Sequence, residues 1–274
     1  MDARREPADE LITLARRVYA ECRSYSDEGT CSTLVEHATP LPRMANQLRF
    51  VTRWKRPERF FFEFREIQPE LVFPGWKVPP VREEAGMRYA VWANADGAGS
   101  WSTLDCKHEV RTLKMAIAGS SGVSHGTAGR ISSLLGVSTH PAHWFPSPAG
   151  FEGEVVEFDG RECLRISMRT GDRNQHLWLE RSSGLVLRFD ELVEFSTQGQ
   201  IDASREHVER LRQSIEQDPA SAEQYGSLLE SLEQHVARAA EHPPEPFTTR
   251  SSTRYQPRID PELREEDFVF VPPG

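Results

Sequence analysis

The sequence predicts an α+β fold, mainly antiparallel β, in which a curved sheet is covered on its concave face and a helical hairpin is inserted between two strands. Three observations predict it. Leu185, Leu187, Phe189, Val193 and Phe195 alternate with Arg188, Asp190 and Glu194, the period of a half-buried strand. Phe247, Thr249, Ser251, Thr253 and Tyr255 alternate with Thr248, Arg250, Ser252 and Arg254, which describes a partner strand with a basic outer face. Between them, Ile201, Val208, Leu211 and Ile215 form one helical stripe and Tyr225, Leu228, Leu229, Leu232 and Val236 another, so residues 200–242 read as two antiparallel helices. Packed together, the stripes bury each other; held apart, they make an arm for a partner protein.

The remaining elements follow in order. From Ala8 to Cys22, the residues Leu11, Leu14, Ala15, Val18 and Cys22 recur at helical spacing, giving an amphipathic opening helix. Strands follow at Thr30–His37, Gln47–Trp54 and Arg59–Arg65. In the last, Phe60, Phe62 and Phe64 share one face opposite Phe61, Glu63 and Arg65. Pro69, Pro74, Pro79, Pro80 and Gly75 surround Trp76, a composition for an extended loop. Strands at Met87–Asn94 and Ser100–Leu104 are joined by a tight turn at Asp96-Gly97. Arg111 to Gly136 reads as two short helices, one around Leu113, Met115, Ala116 and Ile117 and one around Ile131, Leu134 and Leu135, separated by the flexible stretch Gly119–Gly126. Asp159-Gly160 turns Glu154–Phe158 into Cys163–Arg169, and Ser183-Gly184 joins Gln175–Glu180 to the strand around Phe189. Within the hairpin, Asp218-Pro219 restarts the helix and His242-Pro243-Pro244 ends it.

At 274 residues the chain can bury a sizeable core, and a single domain over 1–274 carrying the insert at 200–242 is expected. The formal net charge of -9 opposes nonspecific binding to nucleic acid. No apolar run reaches the roughly 18 residues of a transmembrane helix. Met1–Glu10 is charged and lacks the apolar centre of a secretory signal, so the chain as written would be cytoplasmic. Cys22, Cys31, Cys106 and Cys163 lack zinc-site spacing and read as free buried thiols, although their even number permits disulfides.

The chain announces no catalytic machinery. His140-x-x-His143 has Pro141 between its imidazoles and no third ligand nearby, so no metal is expected. Asp105-Cys106-Lys107-His108 sets a thiol near an imidazole without an orienting partner. Ser120-Ser121-Gly122 and Gly126-Thr127-Ala128-Gly129 lack the lysine and spacing of a phosphate-binding loop and would lend mobility to a lid; no cofactor is expected. Arg250, Arg254 and Arg258 would project toward a lipid phosphate, an acidic partner or plain solvent.

Four segments in order carry a resemblance: Arg56-Pro57-x-Arg59-Phe60-x-Phe62-Glu63-x-Arg65; Arg88-Tyr89-x-x-Trp92 followed by Asp96-Gly97; Thr253-Arg254-Tyr255-x-Pro257-x-Ile259-Asp260; and Phe268-x-Phe270-x-Pro272-Pro273. Together they resemble bacterial envelope proteins of the lipoprotein-carrier (LolA-like) kind, the outer-membrane lipoprotein-sorting family. The resemblance implies a curved half-barrel with short helices over a hydrophobic concave face, a periplasmic or cell-envelope location, and a cargo of acyl chains, lipid or unfolded peptide. It carries over no catalytic residue. On the concave side, Phe50, Trp54, Phe60, Phe62, Phe64, Tyr89 and Val91 would line a ligand cavity or fill a sealed core. Two functions are therefore expected in competition. One is non-enzymatic binding of a lipid, acyl chain or apolar protein segment; the other is an interaction or sensor module whose helical hairpin recruits a protein partner.

Overall fold

The computed structural model describes residues 4–37, 44–67, 86–103, 109–110, 112–138, 142, 144–217 and 221–272. The Trp76 loop, the segment around Cys106, His140, His143 and the Asp218-Pro219 restart lie outside them.

After a short strand β1 (Arg5–Pro7), helix α1 (Asp9–Glu21) forms because Ile12, Ala15 and Tyr19 make one buried stripe. Arg56 closes its C-terminus: the guanidinium donates to the carbonyls of Cys22, at 3.0 Å, and of Ala20, and stacks on Trp54. Five strands then run as a meander, β2 (Ser24–His37), β3 (Met44–Lys55), β4 (Arg59–Ile67), β5 (Arg88–Asn94) and β6 (Gly97–Ser102), with β7 (Glu109–Val110) beside β6. Helices α2 (Leu113–Val123) and α3 (Thr127–Leu134) follow, then β8 (Glu152–Phe158), β9 (Arg161–Thr170), β10 (Arg173–Glu180) and β11 (Val186–Phe195). The long helices α4 (Thr197–Gln217) and α5 (Ser221–Glu241) separate β11 from β12 (Phe247–Tyr255), and β13 (Arg258–Ile259) pairs with β2.

Every described strand pair is antiparallel, in the order β1-β8-β9-β10-β11-β12-β2-β3-β4-β5-β6-β7. The path does not close on itself among the described strands, so the sheet is an open half-barrel of the α+β class that the patterning predicts. Its centre is the pairing of β12 with both β11 and β2. The two strands most legible in sequence thus join the halves of the sheet.

Local chemistry decides the turns. Asp159 and Gly160 have φ of +50° and +73°, the conformation a two-residue hairpin demands. The β5–β6 turn is displaced by one residue from expectation. Asn94 pairs with Gly97, leaving Ala95-Asp96 as the loop, and the Asn94 side chain accepts the Asp96 N–H at 2.8 Å. The expected flexible stretch Gly119–Gly126 is also shorter. Helix α2 continues to Val123 because Ala116, Ile117 and Ser120 are buried beneath it, and packing outweighs the low helix propensity of Gly119 and Gly122. Only Ser124–Gly126 breaks the helix, with His125 and Gly126 at positive φ.

The main core lies between the inner face of the sheet and helices α1, α2 and α3. A second, smaller core lies on the outer face, where the C-terminal segment crosses β4 to β6 and buries Phe268 and Phe270 against Phe61, Ala90 and Trp101. In the hairpin, Val208, Leu211 and Ala239 are buried, whereas Leu228, expected within the stripe, is 44% exposed. At its base Phe195 stacks on Phe247 with ring centres 4.5 Å apart.

Candidate functional site

Strand register builds the inner face row by row. Tyr89, Phe64, Phe50, Gly29 and Tyr255 are successive partners across β5, β4, β3, β2 and β12. Gly29 is required there. A Cβ would lie 2.3 Å from both the Phe50 ring and the Arg254 carbonyl, and the space it leaves lets Phe50 meet Tyr255 edge-on at 5.7 Å. The next rows are Val91–Phe62–Thr52–Asp27 and Ala93–Phe60–Trp54–Tyr25. All seven residues expected on the concave side therefore share one face. Phe50, Trp54, Phe60, Phe62, Phe64 and Val91 are buried, while Tyr89 is half-buried and stacks on Phe64 at 6.0 Å.

Helices α2 and α3 cover this wall as a lid. Thr112 caps α2 by accepting the Met115 N–H at 3.4 Å, and the helix lies on β5 and β6. From α3, Arg130 reaches across the sheet. It donates to Thr253 Oγ1 at 3.1 Å, lies 3.6 Å from a Glu191 carboxylate oxygen, and stacks over Phe189 at 4.5 Å. Trp144 backs the arrangement, donating to the Arg130 carbonyl and to Ser133 Oγ while packing edge-on against Phe189. Burial, with the Arg130 charge nearby, pulls His125, in the turn between α2 and α3, below the ordinary imidazole range.

Beyond Arg130 the inner face turns polar. Gln175, Glu191, Ser251, Thr33 and Asn46 form one cross-strand row. A buried polar group also lies under the aromatic rows, where Tyr25 donates to Asp27 Oδ2 at 2.5 Å. Burial pushes the Asp27 carboxyl up to about 7, although hydrogen bonds from Tyr25 and Thr52 oppose the shift.

Among the described residues, openings at two places reach this face. One, of about 400 Å3 at the β5–β6 turn, is lined by Ala93, Ala98, Leu113 and Val137 with Pro57 and Lys114. The other, of about 420 Å3 near α1, is lined by Ala142, Phe145, Phe151 and Met168 with Arg16 and Gln175. None of the seven expected residues lines either opening.

No family model matches the chain, and no curated protein matches it. The chain is similar to solved structures over nearly its whole length. One, a LolA superfamily protein from Nitrosomonas europaea, has 8% identity and a TM-score of 0.29, covering 97% of this chain and 98% of that one. A putative outer membrane lipoprotein-sorting protein domain from Vibrio parahaemolyticus has 10% identity and a TM-score of 0.33, with 95% and 97% covered. A DUF1329 family protein from Desulfovibrio piger has 11% identity and a TM-score of 0.30, with 96% and 98% covered.

Sequence reasoning missed Arg130, Glu191 and Asp27. Glu191 carried a signal, because it falls on the inward period between Phe189 and Val193, where a carboxylate needs a buried partner. Asp27 had none, since β2 begins six residues before its expected start at Thr30. Of the arginines expected along the last strand, Arg250 pairs with Glu36 at 3.1 Å and Arg258 lies on β13.

Proposed function

We propose that this chain is a non-enzymatic binding protein that shelters a lipid, an acyl chain or an apolar peptide on the inner face of the half-barrel, beneath α2 and α3. The observation that carries this reading is how the lid is made. An aromatic wall is covered by two short helices containing Gly119, Gly122 and Gly129, joined at a positive-φ kink and tied down by Arg130 beside a few small apolar contacts such as Ala116, Ile117 and Ala128. Helices of this length have little stability away from the surface they pack on, so the cover can lift while the sheet stays folded. Each methylene then buried against the wall adds about 0.8 kcal/mol, and a few acyl carbons suffice for measurable binding. The opening lined by Ala93, Ala98, Leu113 and Val137 supports entry at the edge of α2. The bacterial cell envelope is the compartment that the residue-level resemblance implies for such a carrier.

The test is native mass spectrometry with lipid extraction on protein purified gently from a bacterial host, followed by titration with a fluorescent fatty acid. The expected result is a co-purifying lipid or saturable uptake, either of which Ala98→Trp at the mouth diminishes. A clean apo mass with no uptake overturns the reading.

A second reading rests on α4 and α5. The pair leaves the sheet after Phe195, returns at Phe247 and exposes Leu228, which suits an arm that docks a protein partner. Capture of a partner by the apo protein, lost when the hairpin is removed, would favour it.

A further inference from the structure

On the outer face of the sheet one cross-strand row carries five arginines in six positions. Arg188 on β11, Arg254 on β12, Thr30 on β2, Arg49 on β3, Arg65 on β4 and Arg88 on β5 are successive partners. Like charges placed opposite one another repel, so each guanidinium calls for a counter-charge. The ends of the row have them. Asp190 accepts two hydrogen bonds from Arg188, at 2.8 and 2.7 Å, and Glu63 takes both Arg65, at 2.8 Å, and Arg88, at 2.6 Å. The middle does not. Among the described residues no carboxylate pairs with Arg49 or Arg254, both of which are exposed.

These two arginines flank Thr30 and line a groove of about 750 Å3. Strand spacing sets their Cα atoms about 10 Å apart, close enough for both side chains to converge on one group. Ser32 and Ser252, one row further along the same face, add hydroxyl donors to the groove. Glu28 and Asp159 also line it, without pairing either arginine, and they oppose a diffuse polyanion. Phe158 carries the Arg254 guanidinium 5.7 Å above its ring and limits where it can swing. Two planar forks approaching from different strands can each meet a different pair of oxygens on a tetrahedral phosphate, whose oxygens point in more directions than the two coplanar oxygens of a carboxylate. In a chain of net charge -9 this attraction is local to the row.

We propose that the groove between Arg49 and Arg254 binds the phosphate of a phosphate-bearing ligand. The site is on the face opposite the lid and stands independently of the inner-face reading.

The full chain is titrated with inorganic phosphate by calorimetry and, separately, sedimented with vesicles of phosphatidylglycerol or of phosphatidylcholine. The variants are Arg49→Gln with Arg254→Gln, and a control of equal charge change, Arg205→Gln with Arg210→Gln, on α4. The expected result is saturable binding that the first pair weakens at least tenfold and the control leaves unchanged. Binding of inorganic phosphate supports a free ligand; binding to phosphatidylglycerol vesicles alone supports a lipid headgroup. Absence of binding to every probe, or equal losses in both pairs of variants, overturns the proposal.

Discussion

The guanidinium of Arg130 on α3 lies 4.5 Å from the centre of the Phe189 ring on β11, so a charged side chain ties the lid to the sheet beside the apolar residues Ile117, Ala128 and Ile131 buried there. A buried arginine is held only where hydrogen bonds and a counter-charge accompany it, and Thr253 and Glu191 supply both.

Arg130→Ala removes that fastening. Loss of a desolvated cation–π contact and a charged hydrogen bond is worth roughly 2 kcal/mol, or about thirtyfold in the local opening equilibrium. Hydrogen exchange followed by mass spectrometry should show α2 and α3 exchanging faster by about that factor, with β3 and β4 unchanged. Uniform acceleration across the chain would mean that Arg130 supports the whole fold and not the lid.

Asp27 gives the protein a distinctive pH dependence. Its folded value of about 7 lies above the ordinary carboxylate value, so the folded state binds more protons than the unfolded state between the two. Its contribution is complete below about pH 4 and is lost as pH rises toward 7. Urea midpoints of the wild type relative to Asp27→Asn should therefore fall across that range. A difference that is flat or rises with pH would refute the assignment.

Phe268 anchors the outer core. It is fully buried beside Phe61, Ala90 and Trp101, while the neighbouring Phe270 stacks on Trp92 at 5.2 Å. Phe268→Ala should cost about 3–4 kcal/mol by urea denaturation, the range for an aromatic truncated in a packed site. A loss below about 1 kcal/mol would show that the C-terminal segment contributes little to the sheet.

The hairpin should be dispensable for folding. Phe195 and Phe247 are direct partners at its base, so a short glycine-containing turn can replace residues 197–245. Circular dichroism should show the β signal retained and the helical signal reduced. Retained uptake of fluorescent fatty acid in this variant would separate the inner face from the arm, and failure to fold would mean that α4 and α5 support the sheet.

Much of the fold was legible in the residues themselves. The alternation of Phe247 through Tyr255 determined which face of β12 turns inward, because a strand has only two faces and one bears every ring. Phe60, Phe62 and Phe64 did the same for β4, and Asp159-Gly160 specified its turn through two residues that tolerate positive φ. The sequence also determined that α4 and α5 would be helices inserted between two strands. What it did not contain was which rows stand opposite one another. The five-arginine row joins residues up to 224 positions apart, from Thr30 to Arg254, and exists only once register aligns them. Arg130 looked like an ordinary helix residue until folding carried it to Thr253 and Phe189. Helix α2 ran through its glycines because the sheet beneath it supplied the burial that propensity withheld. Local period chose the faces; pairing between distant strands, which no local pattern records, decided what those faces hold.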